Sequence, residues 1–268
     1  MTSHASEPQD TPNAAPSYTS IELHSSSTLL NSPHLPTLFA LINYTFNVGH
    51  NPKGHSYIPW SDHPRLMTLE QLGEEVGPDG FILLMLEQNP PQRNQVDLQN
   101  SSQAKSEGFL SPSGQRIIGT ASAKPYTITK KEPEQGIVSS FFKRPPPSTM
   151  ASTTDDGTPQ WEILAMVVDP ALQGRGVATQ LMNLTVDEIK RRCGSNLRDP
   201  GAEDSTNAKD GQEKKNELLL LLSTMADINE SYYAKRSWTA TAKRKMPKGT
   251  LGSEEGFSVV EMFKRVPL

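Results

Sequence analysis

The 268-residue chain predicts an α/β (α+β) fold: a mixed central sheet of six or seven strands flanked by about four helices. Three observations predict it. Short apolar runs alternate with segments of helical periodicity along most of the chain. Leu218–Leu222 is five consecutive leucines, apolar on both faces, as a strand covered on both sides must be. Trp161–Val168, the strongest strand in the sequence, runs through Asp169-Pro170 and a two-glycine turn straight into a helix.

Tyr18–Leu23 reads as the first strand, and Pro33–Asn47 as the first helix, where Leu35, Leu38, Ile42 and Phe46 recur at spacings of three and four. Ser32-Pro33 suits a helix start. Residues 48–66 form an aromatic loop carrying His50, His55 and His63. The next helix is capped by Thr68, with Gln71 three residues later and Gly77 as its stop. Phe81–Glu87 and Gln115–Ala123 follow as strands. After Trp161–Val168 a helix runs to about Arg192, burying Ala178, Leu181, Met182, Thr185 and Ile189. The leucine strand comes next, then a short helix over Asp227–Lys235 and two closing strands at 238–246 and 257–265.

Composition sets the limits. Hydrophobic residues make up 34% and prolines number 22, roughly 8% against an ordinary ~5%, which predicts one core wrapped in long polar loops. Residues 1–18 read as a disordered tail. Residues 19–268 read as a single domain with polar inserts at about 88–113, 143–159 and 194–216. A net charge of −4 and a pI near 5.9 argue against a protein that coats nucleic acid. The longest apolar runs fall far short of a membrane span, and the N-terminus carries no signal-peptide pattern. A single cysteine, Cys193, excludes a disulfide framework and a cysteine-rich zinc site, and its setting reads as inert. A cytoplasmic location is expected, with a nuclear one left open. No nucleic-acid, membrane or metal partner is expected, and the oligomeric state stays open.

The chemistry centres on Val168-Asp-Pro-Ala-Leu-Gln173-Gly174-Arg175-Gly176-Val177-Ala178. A helix start leaves backbone N–H groups without intrahelical partners, and the helix dipole favours negative charge there. Gly174 and Gly176 let a phosphate approach the backbone. A Walker loop would require Gly-Lys-Ser/Thr, which is missing, and a dinucleotide fingerprint would require a third small residue where Thr179 stands.

Gln173-x-x-Gly176-x-Ala178 after a Val-x-Pro strand resembles the acetyl-CoA-binding motif of the GCN5-related N-acetyltransferase (GNAT) superfamily. About 50 residues later, Asn229-Glu-Ser-Tyr232-Tyr233-Ala-Lys235-Arg-Ser237-Trp238 is similar to that family's Asn-x-x-Phe-Tyr-x-Lys-x-Gly-Phe segment. Ser237-Trp238 stands where the family has Gly-Phe, which leaves the form of that turn open.

The resemblance implies a GNAT-like sheet and an acetyltransferase using acetyl-CoA as co-substrate. It implies that backbone N–H groups of Gln173, Gly174, Arg175, Gly176, Val177 and Ala178, with the Thr179 hydroxyl, hold the coenzyme diphosphate. Met166 and Val168 would lie where the strand bulges and pairs with the pantetheine arm and acetyl carbonyl. Asn229 would hydrogen-bond the cofactor or a water. Tyr233 would protonate the departing thiolate, with Tyr232 as the competing acid or Tyr233 as a plain core aromatic. Glu162 stands where several members carry a general base, or else faces solvent from its strand. Arg175 and Lys243-Arg244-Lys245 either reach the coenzyme 3′-phosphate or form a solvated face. Phe141-Phe142 either docks a partner or packs at a strand end.

The function implied is direct acetyl transfer to a primary amine in a ternary complex, the acceptor first a small molecule or specialised metabolite. A protein amine and a non-catalytic acyl-CoA-binding role are the alternatives.

Overall fold

The computed structural model describes residues 20–49, 64–87, 109–126, 158–196 and 217–268. The expected tail, the histidines at 50, 55 and 63, Phe141-Phe142 and most of the three inserts lie outside these residues.

Seven strands form one mixed sheet: β1 (Ser20–His24), β2 (Phe81–Glu87), β3 (Arg116–Pro125), β4 (Gln160–Val168), β5 (Glu217–Met225), β6 (Thr239–Met246) and β7 (Phe257–Pro267). Their spatial order is β1-β2-β3-β4-β5-β7-β6. Every neighbouring pair is antiparallel except β4 and β5. That parallel pair requires a crossover, which the long helix after β4 supplies.

Five helices occur among the described residues: α1 (Ser26–Leu30), α2 (Leu35–Gly49), α3 (Leu69–Val76), α4 (Val177–Asn196) and α5 (Ala226–Ala234). Periodicity did not predict α1, which is only five residues long. A capping box holds it: the Ser25 hydroxyl accepts from the Thr28 N–H and the Thr28 hydroxyl accepts from the Ser25 N–H. The following helix starts at Leu35, two residues later than expected, and Ser32 Oγ accepts the His34 N–H at 3.2 Å just before it. In α3 the Thr68 hydroxyl caps the Gln71 N–H as predicted, and Gly77 ends the helix at φ 71°. The Gln71 side-chain oxygen accepts the Met67 N–H, one residue beyond the N-cap, so the capping box is not closed.

The sheet buries both faces. Leu29, Leu38, Leu41 and Leu72 of α1–α3 pack against Ile82, Leu84, Leu86 and Ile117. On the other face Met182, Ile189 and Cys193 of α4 and Tyr233 of α5 pack against Trp161, Ile163, Leu218, Leu220 and Leu222. The five leucines are at most 2% exposed, which is what a strand sandwiched between two helical layers needs. Gly119 sets the approach of α4. A Cβ there would meet Leu181 Cδ1 at 2.7 Å and the Val167 carbonyl oxygen at 2.9 Å, so a side chain would displace Leu181 and crowd the β4 backbone.

Two expected insert edges are ordered. Phe109 packs on the α2 side, its ring 5.5 Å from Tyr44, and α4 continues through Asn196 rather than ending near Arg192.

Candidate functional site

The site begins with a parting of strands. β4 and β5 pair only from Gln160↔Leu219 to Ile163↔Leu222. β4 then runs on to Val168 and β5 to Met225 without pairing to each other, so a wedge opens between their C-terminal ends. On its other edge β4 stays paired to β3 through Gly119↔Val168, with one irregularity: Ser122 faces Ala165 while Ala123 faces Ile163. Leu164 is therefore an extra residue, a bulge that bends β4 away from β5. The backbone edge of residues 164–168 that faces β5 carries no ladder partner there.

The bulge was expected at Met166 and Val168 and lies instead at Leu164. Met166 and Val168 pair regularly with Ala121 and Gly119. They border the wedge beyond the bulge, because the extra residue at 164 is what frees the edge on which they stand.

The turn after β4 is held on both sides. Asp169 is 3% exposed; its Oδ1 accepts the Ala171 N–H at 2.9 Å, and its Oδ2 pairs with the Arg116 guanidinium at 2.7 Å. Leu172 anchors the turn in the core. The Gln173 side-chain amide folds back to the Val168 carbonyl at 3.3 Å. Gly174 and Gly176 sit at φ 77° and 81°, left-handed values that cost an L-residue roughly 1–2 kcal/mol. No atom lies within 4 Å of a Cβ built at either position, so the glycines serve the turn's shape and leave open space above it. Arg175 is exposed there.

Val177 is 1% exposed, and its side chain pins the start of α4, leaving only its N–H to offer outward. The first bonds into the helix run from the Thr179 and Gln180 N–H groups to the Gly176 carbonyl, at 3.0 and 3.1 Å. The N–H groups of Val177 and Ala178 precede them at the positive end of the helix dipole. The Thr179 hydroxyl accepts a hydrogen bond from Arg236 at 3.2 Å. Arg236 also donates to the Tyr232 carbonyl at 3.1 Å and stacks on the Tyr232 ring at 3.7 Å. It belongs to the second motif but was assigned no role from sequence; the signal was its place one turn beyond Tyr232.

α5 stands at the free end of β5. The Asn229 amide donates to the Thr224 hydroxyl at 3.0 Å and ties the helix there. Tyr233 is 8% exposed, edge-on to Tyr232 (5.1 Å) and Trp238 (5.8 Å). Burial holds its phenol well above the ordinary tyrosine range; Tyr232 beside it adds to this and the Arg236 charge offsets part. The same burial that keeps the proton on this phenol makes it a weaker acid than an exposed tyrosine. The Tyr232 hydroxyl is enclosed without a partner among the described residues.

Ser237 adopts φ 64°, the left-handed conformation a glycine takes without cost, and Trp238, 4% exposed, fills the core where a Phe was the alternative.

Glu162 lies mid-strand in β4, across from Lys124 and Leu221. Trp161 and Ile163 point to the α4–α5 face, so Glu162 points to the other face. Glu162 and Tyr233 therefore approach the sheet from opposite sides. In the basic run, Lys243 pairs with Glu230 at 3.1 Å and Arg244 lies 3.7 Å from Glu261, on the edge strand β6. Among the described residues no group of His, Cys, Asp and Glu could hold a metal, and no helix is long and apolar enough to cross a membrane.

Residues 70–198, from α3 through α4, match the family model described as the acetyltransferase (GNAT) family. No curated protein matches the chain. Solved structures similar to it include the ribosomal-protein-alanine N-acetyltransferase from Brucella melitensis, 14% identical, covering 92% of this chain and 100% of that one, with a TM-score of 0.44. Arabidopsis thaliana NAA60 in complex with acetyl-CoA is 13% identical over 92% of this chain and 99% of that one, TM-score 0.41. A GNAT-family acetyltransferase from Streptococcus pneumoniae is 10% identical over 92% and 98%, TM-score 0.43.

Proposed function

Because residues 70–198 match the acetyltransferase (GNAT) family model, we propose that the chain transfers an acetyl group from acetyl-CoA to a primary amine, and that the amine is carried by a small molecule. The observation that carries this reading is the wedge between β4 and β5, opened by the bulge at Leu164 and ending at the Gly174–Gly176 turn. An extended arm has an unpaired strand edge to lie along, and a diphosphate has a cradle at the end of that edge.

Bound acetyl-CoA supplies an activated thioester carbonyl. The protein does the rest by position and dipole. The N–H groups of residues 174–178 and the Thr179 hydroxyl hold the diphosphate; the Gln173 N–H, expected to join them, is turned to the Pro170 carbonyl at 3.4 Å instead. The free edge of β4 around Met166 and Val168 orients the arm and the carbonyl oxygen. Asn229 anchors α5 at the mouth of the wedge. Tyr233 donates a proton to the departing thiolate sulfur; the enclosed hydroxyl of Tyr232 makes that residue the poorer donor. Glu162 takes a proton from the incoming ammonium, directly or through water, since only the neutral amine attacks. Its place on the opposite face suits an amine that reaches the thioester from the side away from α4.

A small acceptor is preferred because the polar segments expected to border it carry no acidic run to draw in a basic peptide. Residues 88–113 contain only Asp97 and Glu107 as acids, offset by Arg93 and Lys105. The test is thiol release from acetyl-CoA with small primary amines on one arm and peptides with free N-termini or lysines on the other. Turnover with small amines supports the reading. Turnover with peptides alone moves the acceptor to protein. Acetyl-CoA binding without turnover on either arm leaves a binding protein.

A further inference from the structure

The cradle carries one fixed cation beyond those the motif implies. Arg236 reaches from the end of α5 to the first turn of α4, 57 residues away in sequence. Its two terminal nitrogens each donate one bond, to the Thr179 hydroxyl and the Tyr232 carbonyl. A guanidinium has five N–H groups in a fixed plane, so three are left for another acceptor. Stacking on Tyr232 at 3.7 Å and the bond to its carbonyl hold that plane still, and the Lys264 ammonium donates to the Arg236 carbonyl at 3.0 Å, fixing the backbone beneath.

The contact also sets the direction of the Thr179 hydroxyl. Its oxygen already accepts from Arg236, so its own proton is free to be donated elsewhere. It stands in the same first turn as the outward N–H groups of Val177 and Ala178.

Resting on the acetyl-CoA reading above, we propose that Arg236 is a phosphate-binding residue of this site: it charges the cradle from the α5 side and turns the Thr179 hydroxyl into a phosphate donor. Arginine suits the task because its planar fork matches phosphate oxygens and remains charged at any working pH. The contact also makes cofactor binding depend on α5, the helix that carries Tyr233, so the diphosphate and the proton donor are positioned by one residue.

The experiment is calorimetric titration of acetyl-CoA at low and at moderate salt, with circular dichroism on each protein to establish folding. Folded Arg236→Gln should bind about 10–100-fold more weakly than wild type, the range for losing a charge-assisted bond. Its affinity should also fall less steeply with salt, because one phosphate-facing charge is gone. Arg236→Lys should restore the salt dependence while recovering only part of the affinity. Thr179→Val should lose several-fold with the salt dependence intact. Wild-type affinity in folded Arg236→Gln overturns the proposal. So does a loss with unchanged salt dependence, which marks a purely structural clamp. If Arg236→Gln does not fold, Thr179→Val at wild-type affinity overturns it. A wild-type protein that does not bind acetyl-CoA refutes the parent reading itself, a result distinct from all of these.

Discussion

Arg116 donates to Asp169 at 2.7 Å across the join between the start of β3 and the end of β4, with side-chain exposures of only 16% and 5%. The second Asp169 oxygen caps the Ala171 N–H. One carboxylate thus ends the strand, starts the turn and aims the cradle.

Asp169→Asn keeps the capping oxygen and removes the charge. It should destabilise the fold by about 2–4 kcal/mol, because among the described residues the half-buried guanidinium is left with Glu87 alone, 3.6 Å away. Urea denaturation measures the loss. An unchanged midpoint would show that the pair holds nothing together.

Gly176 separates backbone strain from charge. Gly176→Ala should cost roughly 1–2 kcal/mol of stability for φ 81°, with room for the methyl group. Gly176→Glu should cost about as much stability but lower acetyl-CoA affinity at least tenfold further than Ala does, since a carboxylate would stand where the proposed reading puts the diphosphate. Equal affinities in the two folded variants would place the diphosphate elsewhere.

Tyr233→Phe keeps the ring between Tyr232 and Trp238 and removes only the hydroxyl. With a working amine, kcat should fall by about 10²-fold, the low end for a general acid, at nearly constant acetyl-CoA affinity. Tyr232→Phe should leave kcat nearly unchanged and raise stability by about 1 kcal/mol, because it deletes a buried hydroxyl that has no partner. A severe kcat loss at Tyr232 instead would shift the acid by one residue.

Tyr233 also predicts an alkaline slope. Its folded phenol keeps its proton above the ordinary tyrosine value of about 10, at which the unfolded phenol gives it up. In that window the unfolded chain binds fewer protons, so stability must fall as pH rises. Wild-type urea midpoints should drop more steeply above about pH 10 than those of Tyr233→Phe. Parallel curves for the two proteins would contradict the burial of the phenol.

Cys193, the chain's one cysteine, is 8% exposed, and burial raises its thiol above the usual range, partly offset by a bond with Trp161. A thiol-exchange reagent should find no reactive group in the folded protein and one after unfolding. Rapid reaction in the native state would show that the C-terminal part of α4 opens.

The sequence alone determined what depends on neighbours in the chain. The two-glycine turn, the Thr68 cap and the Gly77 stop are local conformational demands, visible because few residue types meet them. The buried leucine strand and the stripe on α4 are periodicities. The cradle at 173–179 and the motif at 229–238 were legible for the same reason: each lies within about ten consecutive residues. Tertiary structure decided where distant segments meet. The bulge at Leu164 exists only in register against Ser122 and Ala123, and the wedge only because β5 parts from β4 after Leu222 while staying paired to β7. Strand alternation told that Trp161 and Glu162 point apart, but only the helices packed on each side made those faces the α4–α5 side and its opposite. Arg236 meets Thr179 because α4 and α5 pack on the same face of the sheet. Side-chain contacts across such separations follow from packing distances, and no spacing along the chain encodes them.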